Sequence, residues 1–77
     1  MLKVIIYTTK TCPYCSMVKK FLEEKGIKYE EVDVSNDVRS LKEMVDKSGQ
    51  EGVPVVDVEG TTIVGFDKDA IKGALDL

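Results

Sequence analysis

Lys3-Val4-Ile5-Ile6-Tyr7, the loop Thr8-Thr9-Lys10-Thr11, and then Cys12-Pro13-Tyr14-Cys15 form the stretch that sets the architecture. The first five residues are an apolar, β-branched run of the kind that fills a buried central strand. A polar loop over Thr8 to Thr11 follows. From Pro13 the period changes: Cys15, Val18, Phe21 and Leu22 recur at three- and four-residue steps, a helical stripe. Pro13 takes the favoured first helical position and Gly26 the C-cap. Lys28 to Val34 then alternates, with Tyr29, Glu31 and Asp33 opposite Glu30, Val32 and Val34, which predicts a second strand. A strand–helix–strand crossover makes the two strands parallel and the connection right-handed.

Beyond this unit, Ser35-Asn36-Asp37 offers N-caps for a helix whose apolar face is Val38, Leu41, Met44 and Val45, with Gly49 ending it. Val55 to Val58 and Thr61 to Val64 are short strands joined by Glu59-Gly60, a hairpin signal. Asp67 can cap a last helix carrying Ala70, Ile71, Ala74 and Leu75. The order βαβ, α, ββα predicts an α/β fold: a four-stranded mixed sheet with three helices on its two faces, because each helix has one apolar stripe to bury.

The 77 residues suffice for one domain, 1–77, and 43% of them are hydrophobic, ordinary globular usage that argues against disorder. Net charge is −3, and Lys and Arg are scattered with no cluster longer than Lys19-Lys20. Nucleic acid is therefore a poor candidate partner, since phosphate binding needs a basic face. The longest aliphatic run, Val4-Ile5-Ile6, is far short of the roughly 20 residues that span a bilayer. The first ten residues already read as a strand, not a signal peptide. A cytoplasmic protein is expected.

Two cysteines and no histidine narrow the chemistry. Placed at random, two cysteines in this chain fall three apart about one time in forty. So short a loop gains at most about 2 kcal/mol from closure, which makes stapling a poor reason for the spacing. Cys12 sits at a loop–helix junction, where the first backbone N–H groups lack internal partners and carry partial positive charge. Those groups favour a thiolate, the nucleophilic form, and Lys10 adds to the effect. Cys15 lies one turn below on the Val18–Leu22 stripe, where burial raises a thiol pKa. An exposed nucleophile and a shielded resolving thiol follow from position alone. An ordinary pair of buried cysteines leaves the proline, the helix start and the spacing as coincidences. A zinc site is two ligands short. Met17 and Met44 read as packing residues, and Lys19, Lys20 and Lys25 as a solvated helix face.

Thr11-Cys12-Pro13-Tyr14-Cys15 after a first strand, Gly52-Val53-Pro54 before a third, and Gly65-Phe66-Asp67 before the last helix together resemble the glutaredoxin family of the thioredoxin-like group, over nearly the whole chain. The resemblance implies a thioredoxin-like fold and a monomeric thiol–disulfide oxidoreductase without a permanently bound cofactor. Its substrates would be disulfide-containing proteins and mixed disulfides with glutathione, and glutathione its reductant. The resemblance also implies a cis Pro54 facing the cysteines, with the Val53 backbone pairing with bound peptide or glutathione. The residues alone equally allow a trans proline starting an edge strand. Thr11 and Pro13 would support the cysteines, and Lys10, Tyr14, Gln50, Val53, Pro54, Gly65, Phe66 and Asp67 would line the ligand site. The chain departs from the family at Glu51, acidic where a basic residue is common, and at Gly52, which replaces a threonine. Its Gly65-Phe66 looks more like redoxins reduced by thioredoxin reductase, electron donors to ribonucleotide reductase or similar enzymes. A rival reading from a different functional class is a dimer pooling Cys12 thiolates, with glutathione thiols, around an iron–sulfur cluster.

Overall fold

The computed structural model describes residues 3–75. Its elements run β1 (Val4–Thr8), α1 (Pro13–Glu24), β2 (Glu30–Asp33), α2 (Val38–Ser48), β3 (Val55–Val58), β4 (Thr61–Val64) and α3 (Lys68–Leu75). The strands form one sheet in the order β2-β1-β3-β4. β1 is central, parallel to β2 and antiparallel to β3, and β3 is antiparallel to β4. This is the predicted mixed sheet.

Alternation along the strands divides the core in two. Val4 and Ile6 of β1, with Val56, Val58 and Ile63, meet Val18, Phe21 and Leu22 of α1 and Ile71 and Leu75 of α3. Tyr7 and Val55 point to the other face, where they meet Val34, just after β2, and Met44 of α2. Two helices therefore cover one face and one covers the other, each burying the stripe that its periodicity marks.

The helix ends follow the sequence signals. α1 stops in a Schellman turn: Gly26 N–H donates to Glu23 O at 3.1 Å and Ile27 N–H to Leu22 O at 2.9 Å. Asp37 caps α2, its carboxylate accepting from the amides of Arg39 and Ser40. In the β3–β4 hairpin both Glu59 and Gly60 have positive φ, 51° and 92°, the turn that matches strand twist.

Three expectations need correction. Thr8 ends β1 rather than opening the loop, and is buried. Val38 does not join the apolar face of α2; it is 83% exposed, because contact with the sheet begins only at Leu41. Met17 is 46% exposed and no core residue, whereas Met44 is fully buried.

The pairing register sets the location of the site. Tyr7 lies opposite Val55 and Val55 opposite Val64, while Thr8 lies beside Asp33. The loop after β1, the end of β2, the segment before β3 and the segment after β4 therefore emerge at one end of the sheet.

Candidate active site

Cys12 is the N-cap of α1, with φ −100° and ψ 107°, and Pro13 begins the helix. Its Sγ accepts a hydrogen bond from Cys15 N–H at 3.2 Å, one of the amides that a helix start leaves without an internal partner. No acidic residue lies in the first turn to compete for that positive end. Cys12 is half-buried, Cys15 is 2% exposed, and the two are free thiols. Burial, then the hydrogen bond with the Cys12 side chain, pushes the Cys15 thiol up from 9.0 to about 12. The arrangement presents one accessible sulfur and holds a second, protonated one directly beneath it.

The segments that converge on this end differ in what they offer. The Val53–Pro54 bond is cis, and Gly65 N–H donates to Pro54 O at 2.8 Å. That contact ties the segment after β4 to the proline, and Gly65 makes it at φ +79°, where a side chain is strained. Asp67 Oδ1 accepts from Ala70 N–H at 3.1 Å, so its carboxylate caps α3. Phe66 is turned onto α1, edge to face with Phe21 at 6.4 Å. Lys10 and Tyr14 stay exposed around the cysteines, as does Thr11.

Gln50 is engaged within its own loop. Its Nε2 donates to Gly52 O at 2.9 Å, and its Oε1 accepts from Gly52 N–H at 2.6 Å. A Cβ at residue 52 would stand 2.6 Å from that Oε1, so the threonine that the family resemblance leads one to expect would displace the Gln50 side chain from this position. Gln50 thus shapes the approach to Pro54, with its amide directed at the backbone.

On the other side of the cysteines, toward β2, lies a cleft of about 350 Å³ lined by Cys12, Cys15, Lys10, Lys19, Glu31 and Asp33, among others. Lys19 keeps the partly exposed position its sequence context predicts but is paired there. Its Nζ is 2.8 Å from Glu31 Oε2, which also accepts from Thr8 Oγ1 at 3.2 Å. The hydrogen bond to Glu31 holds the Lys19 ammonium above its ordinary pKa. In the sequence, Lys19 follows Cys15 by four residues and Glu31 alternates with Val32, a spacing that puts Glu31 on the face that α1 covers. That the two meet is set by strand register and helix placement. Asp33 accepts from Ser35 N–H and Oγ, and these bonds, with Lys10 nearby, lower its pKa.

Among the described residues, no three His, Cys, Asp or Glu side chains group to hold a metal ion. No described helix is long and apolar enough to cross a membrane.

A family model described as Glutaredoxin matches residues 4–63. The chain is 44% identical over 71 residues to an 8.6 kDa glutaredoxin-like protein of the rubredoxin operon of Clostridium pasteurianum, described as uncharacterized, covering 92% of this chain and 95% of that one. It is 36% identical over 80 residues to glutaredoxin 3 of Escherichia coli K12, covering 99% and 95%. Similar solved structures include thioredoxin-like proteins and glutaredoxins. One is NrdH-redoxin of Escherichia coli, a glutaredoxin-like protein with a thioredoxin-like activity profile. It matches with a TM-score of 0.81 at 27% identity, covering 92% of each chain.

Proposed function

We propose a dithiol cycle through Cys12 and Cys15 for this chain, which belongs to the glutaredoxin family and is a thiol–disulfide oxidoreductase. Cys12 attacks a disulfide of a protein, or a mixed disulfide with glutathione, and one substrate sulfur leaves. Cys15 then attacks Cys12, releasing the reduced product and closing the Cys12–Cys15 disulfide. The observation that carries this reading is the half-buried Cys12 sulfur at a helix N-cap, bonded to the amide of a fully buried Cys15. The helix N-terminus favours the anion that must attack, and the buried thiol is kept from competing for substrate. Val53, before the cis proline, would pair its backbone with an extended ligand, and Lys10 and Tyr14 would flank it. The chain would act as a cytoplasmic monomer, with nothing permanently bound.

Disulfide reduction by Cys12→Ser and Cys15→Ser tests the assignment. Cys12→Ser should be inactive, and Cys15→Ser should keep only single-thiol removal of glutathione. Full activity in Cys12→Ser would refute the cycle.

Glutathione is the proposed reductant of the closed disulfide. A second reading has thioredoxin reductase regenerate the pair, and two observations favour it. Gln50 directs its amide at Gly52 beside an acidic Glu51, and the fold matches a redoxin of thioredoxin-like activity. NADPH-coupled turnover through glutathione reductase plus glutathione, compared with turnover through thioredoxin reductase, separates the two. Fast glutathione-coupled turnover supports the first reading; turnover through thioredoxin reductase alone replaces it with the second.

A further inference from the structure

The dithiol cycle requires a buried thiol to lose its proton. Cys15 is 2% exposed, and its burial and its contact with Cys12 both hold the proton on. When Cys12 is tied up in a mixed disulfide, its sulfur is neutral and that contact no longer opposes ionisation. Burial remains, and a charge that favours the Cys15 anion must offset it.

The cleft supplies one. Lys19 follows Cys15 by four residues on α1, so the two side chains share a face at about 5 to 6 Å between Cβ atoms. Both line the cleft. A lysine on an exposed helix face ordinarily keeps its ammonium in solvent. This one is pinned: Glu31 Oε2 takes it at 2.8 Å, and Thr8, buried at the end of β1, donates to the same oxygen at 3.2 Å. Glu31 itself is fixed in the ladder opposite Ile6. Against the larger effect of burial, a backbone hydrogen bond from Thr9 favours the Cys15 anion first and the Lys19 ammonium second, and of the two only Lys19 carries a full charge.

We propose that Lys19, anchored by Glu31 and Thr8, is the electrostatic residue of the resolving step, offsetting the negative charge that develops on Cys15 as it attacks. The inference rests on the dithiol cycle above. In that step Cys15 Sγ releases its proton to water in the cleft. The thiolate attacks Cys12 Sγ, and the Cys12–Cys15 bond forms as the bond from Cys12 to the substrate sulfur breaks. Cys15 is oxidised, and the substrate sulfur leaves as a thiolate that takes a proton from solvent. Glu31 and Thr8 are positioning residues.

A single-turnover reaction of the reduced protein with dipyridyl disulfide separates the steps. The reagent is uncharged, so a changed charge at Lys19 does not steer it. The phase that scales with reagent concentration reports attack by Cys12, and the concentration-independent phase reports attack by Cys15. Lys19→Met should slow the second phase roughly three- to tenfold, since a change in thiolate fraction is partly offset by nucleophilicity. Lys19→Glu should slow it further, Lys19→Arg should restore it, and the first phase should change by less than about twofold. Lys20→Met, on another face of α1, should leave both phases alone. An unchanged second phase in Lys19→Met and Lys19→Glu would overturn the inference, as would equal slowing of both phases. Failure of the underlying cycle looks different: Cys12→Ser would retain the fast first phase.

Discussion

Two lysine–carboxylate pairs sit on opposite faces of the sheet, and their surroundings give them different work. Under α2, Lys47 Nζ donates to Asp57 Oδ2 at 2.9 Å and to Tyr7 Oη at 2.7 Å, with its charge 5.2 Å from the Tyr7 ring centre. Asp57 is 7% exposed, and its other oxygen accepts from Gly60 N–H in the β3–β4 turn at 2.9 Å. Every buried side-chain polar atom described there has a partner. Under α1, Lys19 and Glu31 meet at a similar distance, and the two lysines are comparably exposed, 30% for Lys19 and 37% for Lys47. The Glu31 side chain, however, is 43% exposed against 10% for Asp57 and borders a cavity shared with both cysteines. The same pair of residue types thus stabilises the fold where it is enclosed and can serve chemistry where it faces an open space.

The enclosed pair should be the costlier to break. Asp57→Ala strands the Lys47 ammonium with only the Tyr7 hydroxyl and frees an amide in the hairpin turn. We expect a loss of about 2 to 3 kcal/mol, below the full cost of breaking a buried ion pair because Lys47 reaches solvent. Urea unfolding measures it. A chain of this length has a stability of about 4 to 11 kcal/mol, so the variant should remain folded and keep its disulfide-reducing turnover per folded molecule. A loss as small as that of an exposed pair would erase the distinction between the two faces.

Alkaline pH probes both faces in separate windows. Cys15 keeps its proton in the folded state from 9.0 up to about 12, whereas the unfolded thiol gives it up. The unfolded chain binds fewer protons in that window, so stability is full below 9.0 and falls as pH rises. Lys47 is raised above 10.5, first by the Tyr7 hydroxyl and then by Asp57, so its contribution is present below 10.5 and lost only above it. Between 9.0 and about 10 the decline belongs to Cys15 and amounts to about 1 kcal/mol; above that Tyr29, raised from 10.0 first by burial and then by Glu23, adds to it. In Cys15→Ala the urea midpoint should be nearly flat over that interval. A decline as steep as that of the unsubstituted protein would move its origin away from the thiol.

The β-branched run before Cys12, the stripe from Cys15 to Leu22 and the cap residues Asp37 and Asp67 were legible in the sequence because each is a local signal with a fixed period or offset. The same locality made Cys12 and Cys15 readable as a pair. Glu31 and Lys19, or Lys47, Tyr7 and Asp57, lie 10 to 40 residues apart and meet only through strand register and helix placement. Spacing along one chain carries no such information. The Gln50 turn escaped for another reason: the resemblance assigns that side chain to a ligand, whereas glycine at 52 leaves room for it to fold back onto the loop.

The smallest expected effect is the stability change in Lys19→Met. Methionine keeps most of the lysine stem against α1, so the loss is confined to one ion pair with half-open partners. Solvent screening and the rotamer entropy of two long side chains hold such a pair below about 1 kcal/mol. Urea unfolding should place Lys19→Met within that range of the unsubstituted protein and well short of Asp57→Ala. Added salt should narrow the gap further, since exposed charges are screened over about 10 Å at 0.1 M. The significance lies in the pairing with kinetics. If Lys19 acts on Cys15, a substitution that hardly moves the urea midpoint slows the resolving phase several-fold. A purely structural pair would move the two together. A Lys19→Met loss equal to that of Asp57→Ala would mean that the open cleft is no less a part of the core than the closed network across the sheet.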